Sequence, residues 1–324
     1  MKKLIVLFAA IMMLAVAFTA VADSVSIAII YPDTVDDKGW CQSMHMGVEK
    51  AISMGYDIEY TPVEAVATAD APNTLDQLAE NYDIIICHGA MFNTAVQEIG
   101  PEYPDQVWAA GTTDQLFGEN IFTYMPQSEE PGYINGVIAG LMTKANKVGI
   151  VGSTDGADSA RYVRGFVMGL QESNPNAEYM LSWTGSFSDT VGAGDLGNTF
   201  IQAGCDVLVG PAQQAVGALR NVAAAEGVLW VGQTTAQLVD FPEVTVAAAD
   251  YDYSAVVVGL IDRYNEGKTG NECLPLNYNN DGFVYTFSEN AELLPEDVKA
   301  AAQAAWDKLV ATANTLDYKS IELK

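Results

Sequence analysis

Short apolar runs alternate with longer stretches at helical spacing along most of the chain, and this alternation constrains the fold more than any other feature. Ser24–Tyr31 (SVSIAIIY) reads as a buried strand, and Trp40 to Met54 follows as a helix that Gly55 stops. Strands at Asp57–Tyr60, Asp83–Cys87 and Val107–Ala110, with helices near Asn73–Glu80 and Thr94–Ile99, complete a first set. A second set begins with a helix at Tyr133–Lys144. It continues with strands at Lys147–Val151, Glu178–Trp183, Asp206–Val209, Val228–Val231 and Val244–Ala248, separated by helices at Arg161–Glu172, Asp195–Ala203 and Gln214–Glu226. Strands apolar on both faces, each followed by a helix, form parallel sheets covered on both sides. Two such sets predict an α/β protein of two doubly wound parallel-sheet lobes joined by a hinge.

The tail is mixed. It reads as a helix at Asp252–Glu266, a polar turn at Asn277–Asp281, a strand at Phe283–Phe287 and a last helix at Pro295–Ala313. We expect a first lobe over residues 23–125, completed by about 250–280, and a second over 126–249, completed by about 281–324.

Residues 1–22 read as a secretory leader. Lys2 and Lys3 precede the apolar run Leu4–Phe18, and Ala20-Val21-Ala22 supplies the small-residue cleavage pattern, so the mature chain is expected to begin at Asp23. Asp23 stands where a lipoprotein would carry cysteine. The reading is therefore a cleaved leader and a periplasmic protein, with an uncleaved N-terminal anchor as the alternative. The chain has 324 residues, 49% of them hydrophobic, which suffices for two cores. Its formal net charge of -27 repels phosphate backbones and anionic lipid heads, which disfavours nucleic acid and membrane surfaces as partners.

Ligands of open α/β sheets bind beyond the carboxyl ends of the strands. The site is accordingly expected at the turns after Tyr31, Cys87, Ala110, Val151, Trp183, Val209 and Val231. Trp40 opens a helix after the first strand and offers a flat face for a planar ligand, or else packs into the core as a helix-start staple. Phe187, in Trp183-Thr184-Gly185-Ser186-Phe187-Ser188-Asp189, occupies the equivalent turn of the second lobe. Asp189 there is a ligand candidate or a helix cap. His88 is expected to face the cleft as a ligand-contacting donor. Gln213, Gln233, Thr234 and Asp114 are expected to orient the ligand, and Cys41 and Asp250 complete the candidates.

Other chemistries find little support. Gly192-x-Gly194-x-x-Gly197 matches a dinucleotide fingerprint in letters, but it does not directly follow a strand, so no cofactor is expected. Cys41, His45, Cys87 and His88 lack paired metal-ligand spacing. No Gly-x-Ser-x-Gly elbow or metalloprotease histidine pair exists, and an enzyme is not expected. Cys41, Cys87, Cys205 and Cys273 allow three full disulfide pairings, or are small buried hydrophobes. Cys41 and Cys87 are expected to approach each other, because each follows a first-lobe strand end.

At Asp37-Lys38-Gly39-Trp40-Cys41-Gln42-Ser43 the chain resembles the basic membrane protein family, the purine nucleoside receptor-like binding proteins of ABC importers. The resemblance continues through Tyr103-Pro104-Asp105, Tyr133-x-x-Gly136-x-x-Ala139-Gly140-x-Met142-Thr143-Lys144 and Lys147-Val148-Gly149-Ile150-Val151-Gly152. It extends over Gly165-Phe166-x-x-Gly169, Asn174-Pro175-Asn176-Ala177, Trp183-Thr184-Gly185-Ser186-Phe187-x-Asp189 and Ile201-x-x-Gly204-Cys205-Asp206-Val207. It implies a type I periplasmic binding fold and a membrane permease as partner. It also implies a purine-type ligand held between one aromatic of each lobe, here Trp40, where the family usually has Phe, and Phe187. Three departures bear on the ligand. Cys41 replaces a frequent Asn, Gln233 stands where many members place an Asp for ribose hydroxyls, and the family's Lys has no match around Ala249-Asp250. Buried hydroxyls need committed partners, so a free purine base or similar flat heterocycle fits better than a nucleoside. A ligand-sensing co-receptor for a membrane signalling protein would have the same fold and pocket, and stays open as an alternative.

Overall fold

The computed structural model describes residues 24–37, 39–313 and 315–324; the expected leader, residues 1–22, lies outside them. The first lobe is built from β1 (Val25–Ile30), α1 (Trp40–Ser53), β2 (Ile58–Val63), α2 (Ala71–Leu78), β3 (Ile84–Cys87), α3 (Asn93–Ile99), β4 (Val107–Gly111) and β5 (Ile121–Pro126). The second runs α4 (Glu129–Met142), β6 (Lys147–Gly152), α5 (Ala157–Ser173), β7 (Glu178–Trp183), α6 (Thr190–Gln202), β8 (Val207–Val209), α7 (Val216–Ala224), β9 (Leu229–Val231), α8 (Thr235–Asp240) and β10 (Thr245–Tyr251). The chain then supplies α9 (Ser254–Asn265) and β11 (Cys273–Leu276) to the first lobe, and β12 (Phe283–Phe287) and α10 (Glu296–Thr312) to the second.

Each lobe contains a six-stranded sheet, in the orders β11-β5-β4-β3-β1-β2 and β12-β10-β9-β8-β6-β7. Every pairing is parallel except β10 with the edge strand β12. The fold is thus two doubly wound α/β lobes. Apolar side chains alternate between the sheet faces: Ile27 and Ile29 of β1 enter one core while Ala28 and Ile30 enter another. That two-sided burial is why these strands read as unbroken apolar runs.

Sequence patterning missed β5, α8 and β11. β11 carries Pro275 and lies at the sheet edge, where a missing N–H disrupts no pairing, so a proline that argues against a central strand is compatible here. The approach expected of Cys41 and Cys87 is corrected by the same alternation. Cys87 points into the core on the face of the first sheet opposite the one that holds Cys41. All four cysteines are free thiols.

Helices α4 and α5 touch backbone to backbone. A Cβ on Gly136 would lie 2.1 Å from the Phe166 carbonyl oxygen, and one on Gly165 would lie 2.1 Å from that of Glu129. Contact this close is open only to glycine. Of the dinucleotide-like glycines, Gly197 serves the same end between α6 and α7, where a Cβ on it would come within 2.8 Å of Ala218 Cβ.

The chain crosses between lobes three times: after Pro126, between Tyr251 and Ser254, and between Leu276 and Phe283. Glu130, in the first turn of α4, accepts the Tyr278 N–H at 2.8 Å and so ties the first crossing to the third. Burial, with Glu129 as a like-charged neighbour, pushes the Glu130 carboxyl up to about 8.

Two outcomes follow. Gly136→Ala should destabilise the protein by about 1–3 kcal/mol, whereas Gly156→Ala, where a Cβ meets nothing within 4 Å, should change its melting temperature little. The Glu130 carboxyl is more basic folded than unfolded, so its stabilising effect is complete below its ordinary value of 4.5 and is lost as pH rises toward about 8. Glu130→Gln should flatten that decline in denaturant titrations repeated across this range, and an unchanged pH profile would contradict the assignment.

Candidate functional site

The site is assembled from the turn after β1. Asp37 fixes this turn: its Oδ1 accepts the N–H groups of Gly39 at 2.8 Å and Gln42 at 3.0 Å, and its Oδ2 accepts that of Cys41 at 3.0 Å. A carboxylate at a helix start satisfies otherwise unpaired N–H groups and complements the helix dipole. It sets the first residue of α1, Trp40, where the two lobes meet.

The indole of Trp40 stacks on the imidazole of His88, with ring centroids 4.9 Å apart and planes 16° from parallel. Tyr251 and Tyr253, from the second crossing, stand edge-on to it at 5.7 Å and 5.4 Å. Trp40 is half-buried. An aromatic of the first lobe is thus boxed by its own lobe and by a crossing segment.

His88 differs from expectation. It is fully buried, and both ring nitrogens are engaged: Nε2 with the Trp40 carbonyl oxygen at 3.1 Å, and Nδ1 with the Tyr124 hydroxyl at 2.8 Å. A carbonyl only accepts, so Nε2 carries the proton and Nδ1 accepts from Tyr124. Burial holds the imidazole pKa down at about 3, so the ring is neutral. His88 is a platform under Trp40 and has no nitrogen left for a ligand.

The second lobe approaches from the turn after β8. A Cβ on Gly39 would lie 3.3 Å from the Cβ of Gln213, so Gln213 faces the first lobe directly. The Gln233 side-chain amide donates to the Pro211 carbonyl oxygen and reaches the Tyr251 hydroxyl at 3.5 Å. Gln213, Gln233, Trp40 and His88 are therefore brought together around one turn.

Other candidates are placed elsewhere or already engaged. Asp189 caps α6 through the Gly192 N–H at 2.8 Å. Asp250 binds the N–H and hydroxyl of Thr235 at the start of α8, and burial raises its pKa. Thr234 is half-buried beside it, at the N-cap of α8. Cys41 is buried beneath α1, its thiol pKa pushed up by burial and the nearby Asp37 carboxylate. Asp114 is exposed after β4. Phe187, 38% exposed after β7, makes no ring contact among the described residues.

Sequence reasoning missed Tyr251, Tyr253 and Asp158. The tyrosines lie in a crossing segment rather than at a strand-to-helix turn within one lobe, so topology alone did not single them out. Asp158, in the first turn of α5, is 8% exposed and faces the Tyr251 hydroxyl; burial pushes its carboxyl up to about 6. Its signal in the sequence is its place just after the strand-to-helix turn that ends β6. Among the described residues no group of three His, Cys, Asp or Glu side chains is placed to hold a metal ion.

The arrangement, with aromatics and amides gathered where two α/β lobes meet, suits capture of a small molecule. The family model for PnrA-like ABC transporter substrate-binding proteins matches residues 24–309, and the chain belongs to that family. The chain is 28% identical over 224 residues to a putative ABC transporter glucose-binding protein of Haloferax volcanii, covering 68% of this chain and 55% of the relative. It is 24% identical over 189 residues to a purine-binding protein of Brucella abortus, covering 57% and 54%. The chain spans about half the length of these curated relatives. Among solved structures, an ABC transporter solute-binding protein from Conexibacter woesei superposes with a TM-score of 0.75 at 21% identity, covering 91% of this chain and 99% of that one.

His88 should remain neutral throughout the range in which histidines ordinarily titrate. Imidazole NMR shifts followed from pH 8 to pH 4 should show no titration of His88, and a midpoint near its ordinary 6.5 would contradict the buried platform.

Proposed function

We propose that this protein captures a purine base or similar flat heterocycle on Trp40 and delivers it to the permease of an ABC importer. The observation that carries this reading is the Trp40 box: a half-buried indole, backed on one face by His88, at the meeting of two lobes. The guest is taken on the other face of the indole. Phe187 swings in from the second lobe to cover it as the lobes close, which removes water and favours the closed population. The family membership and the purine-binding relative in Brucella support a planar ligand.

A base is favoured over a nucleoside. At the positions where the family resemblance places ribose contacts stand Gln233, whose side-chain nitrogen is bonded to Pro211 and Tyr251, and Asp250, which is bonded to Thr235. Sugar hydroxyls buried beside them would lack committed partners. The membrane protein it serves is reached outside the cytoplasm, after removal of residues 1–22 as a leader. No helix of the described residues is long and apolar enough to cross a membrane.

Calorimetric titration with adenine, guanine, hypoxanthine and xanthine beside their nucleosides tests the ligand. Bases should bind tighter, and nucleosides binding far tighter would overturn the preference. Trp40→Ala should weaken binding by about 10-fold or more, the scale of a lost aromatic anchor; unchanged affinity would remove Trp40 from the site.

A further inference from the structure

Near the Gly39–Trp40 turn, two buried side chains carry polar atoms without a hydrogen-bond partner among the described residues. Gln214 is fully buried, and neither its amide nitrogen nor its amide oxygen has a hydrogen-bond partner among the described residues. Tyr253 is fully buried with an unpartnered hydroxyl. Leaving such groups unmet is costly, and native proteins pair nearly all of them.

Among the described residues, the other fully enclosed asparagine and glutamine side chains are hydrogen-bonded, and only the half-buried Asn93 also leaves an amide atom, its Oδ1, unmet. Asn120 donates to the carbonyls of Gly100, Tyr103 and Gln106, and Asn135 engages Tyr162, Gly232 and Tyr285. Gln237 accepts from the indole of Trp230 and the N–H of Gln233. Gln106 and Gln233 are paired as well. Gln214 departs from the pattern with both of its polar atoms.

Its neighbours locate it. Gln214 is the middle residue of the 3-10 turn Gln213–Ala215 that follows β8, and successive residues of such a turn point about a third of a rotation apart. Gln213 faces Gly39 of the first lobe. Ala215 faces back into its own lobe, where its Cβ would lie 2.2 Å from a Cβ on Gly210. Gln214 takes the remaining side of the turn, at the carboxyl end of the second sheet, next to the residue that meets Gly39, and is fully buried there. Tyr253 stands beside the first-lobe turn that Gln213 faces, edge-on to Trp40 at 5.4 Å and to His88 at 5.0 Å.

We infer that Gln214 reads the polar edge of the guest, with the Tyr253 hydroxyl taking one further polar atom. A primary amide presents a donor and an acceptor side by side. Its complement is an adjacent acceptor and donor, as on a lactam or amidine edge of a purine base. This rests on the proposed function and adds to stacking, which any flat ring can satisfy, a reason to prefer rings with such an edge. Tyr253 supplies a single donor–acceptor point and does not itself distinguish one edge from another.

Calorimetry with hypoxanthine, adenine and the 1-, 3-, 7- and 9-methyl derivatives of whichever binds tighter tests it. The native protein should reject at least one methyl isomer by about 10- to 100-fold. Gln214→Leu should bind the parent base about 10- to 100-fold more weakly and no longer distinguish the isomers. Its melting temperature without ligand should be unchanged or higher, because an unpaired buried amide has been removed. Native protein that binds the base equally well with any of the four methyl groups would overturn the inference, and so would Gln214→Leu binding as tightly as native, the result expected if Gln214 bonds only to a trapped water. Should Gln214→Leu fail to fold, the methyl series on the native protein decides alone. Native protein that binds no base at all overturns the proposed function, and this inference with it.

Discussion

The site depends on a neutral, buried histidine. His88 ends β3 with its ring under the Trp40 indole, and its two nitrogens join the Trp40 backbone to Tyr124 of β5. One side chain therefore sets the height and tilt of the aromatic surface on which the proposed ligand rests. The setting holds only while the ring stays uncharged, since an imidazolium would present two donors and Nδ1 could no longer accept from Tyr124. Desolvation enforces that state. Around this unit the Asp37 carboxylate anchors the start of α1, and the crossing-segment tyrosines close the sides.

Much of this architecture was legible in the sequence. Strands such as β1 and β3 are apolar at nearly every position, because helices cover both sheet faces. The glycine motifs around Gly136 and Gly165 also have a physical reading: they let α4 and α5 meet at backbone distance. What was not legible has equally physical causes. β5 mixes Thr123, Tyr124 and Pro126 into its run, and β11 holds Pro275, so neither shows an uninterrupted apolar pattern.

The roles of polar residues were harder to read than the fold. His88, Asp189 and Asp250 have side chains that suit a ligand, yet each is committed within the protein: under an indole, at the start of α6, at the start of α8. Gln214 and Gln213 are adjacent and chemically identical, and only the geometry of a short turn separates a residue that faces Gly39 from one that is enclosed with its amide unmet. Composition cannot make that distinction, because it depends on which groups of distant segments are already paired.

Tyr251 and Tyr253 give the cleft a mechanical property. They lie at the end of β10 and just beyond it, where the chain passes from the second lobe to the first, and they are also walls of the box around Trp40. Any rotation of one lobe against the other must therefore turn these rings relative to the indole. Joint and recognition surface are one piece of chain, so the angle between the halves and the shape offered to a guest cannot vary independently. In the proposed function the guest acts as a wedge in its own hinge, and no separate relay is required to tell the rest of the molecule that the seat is taken.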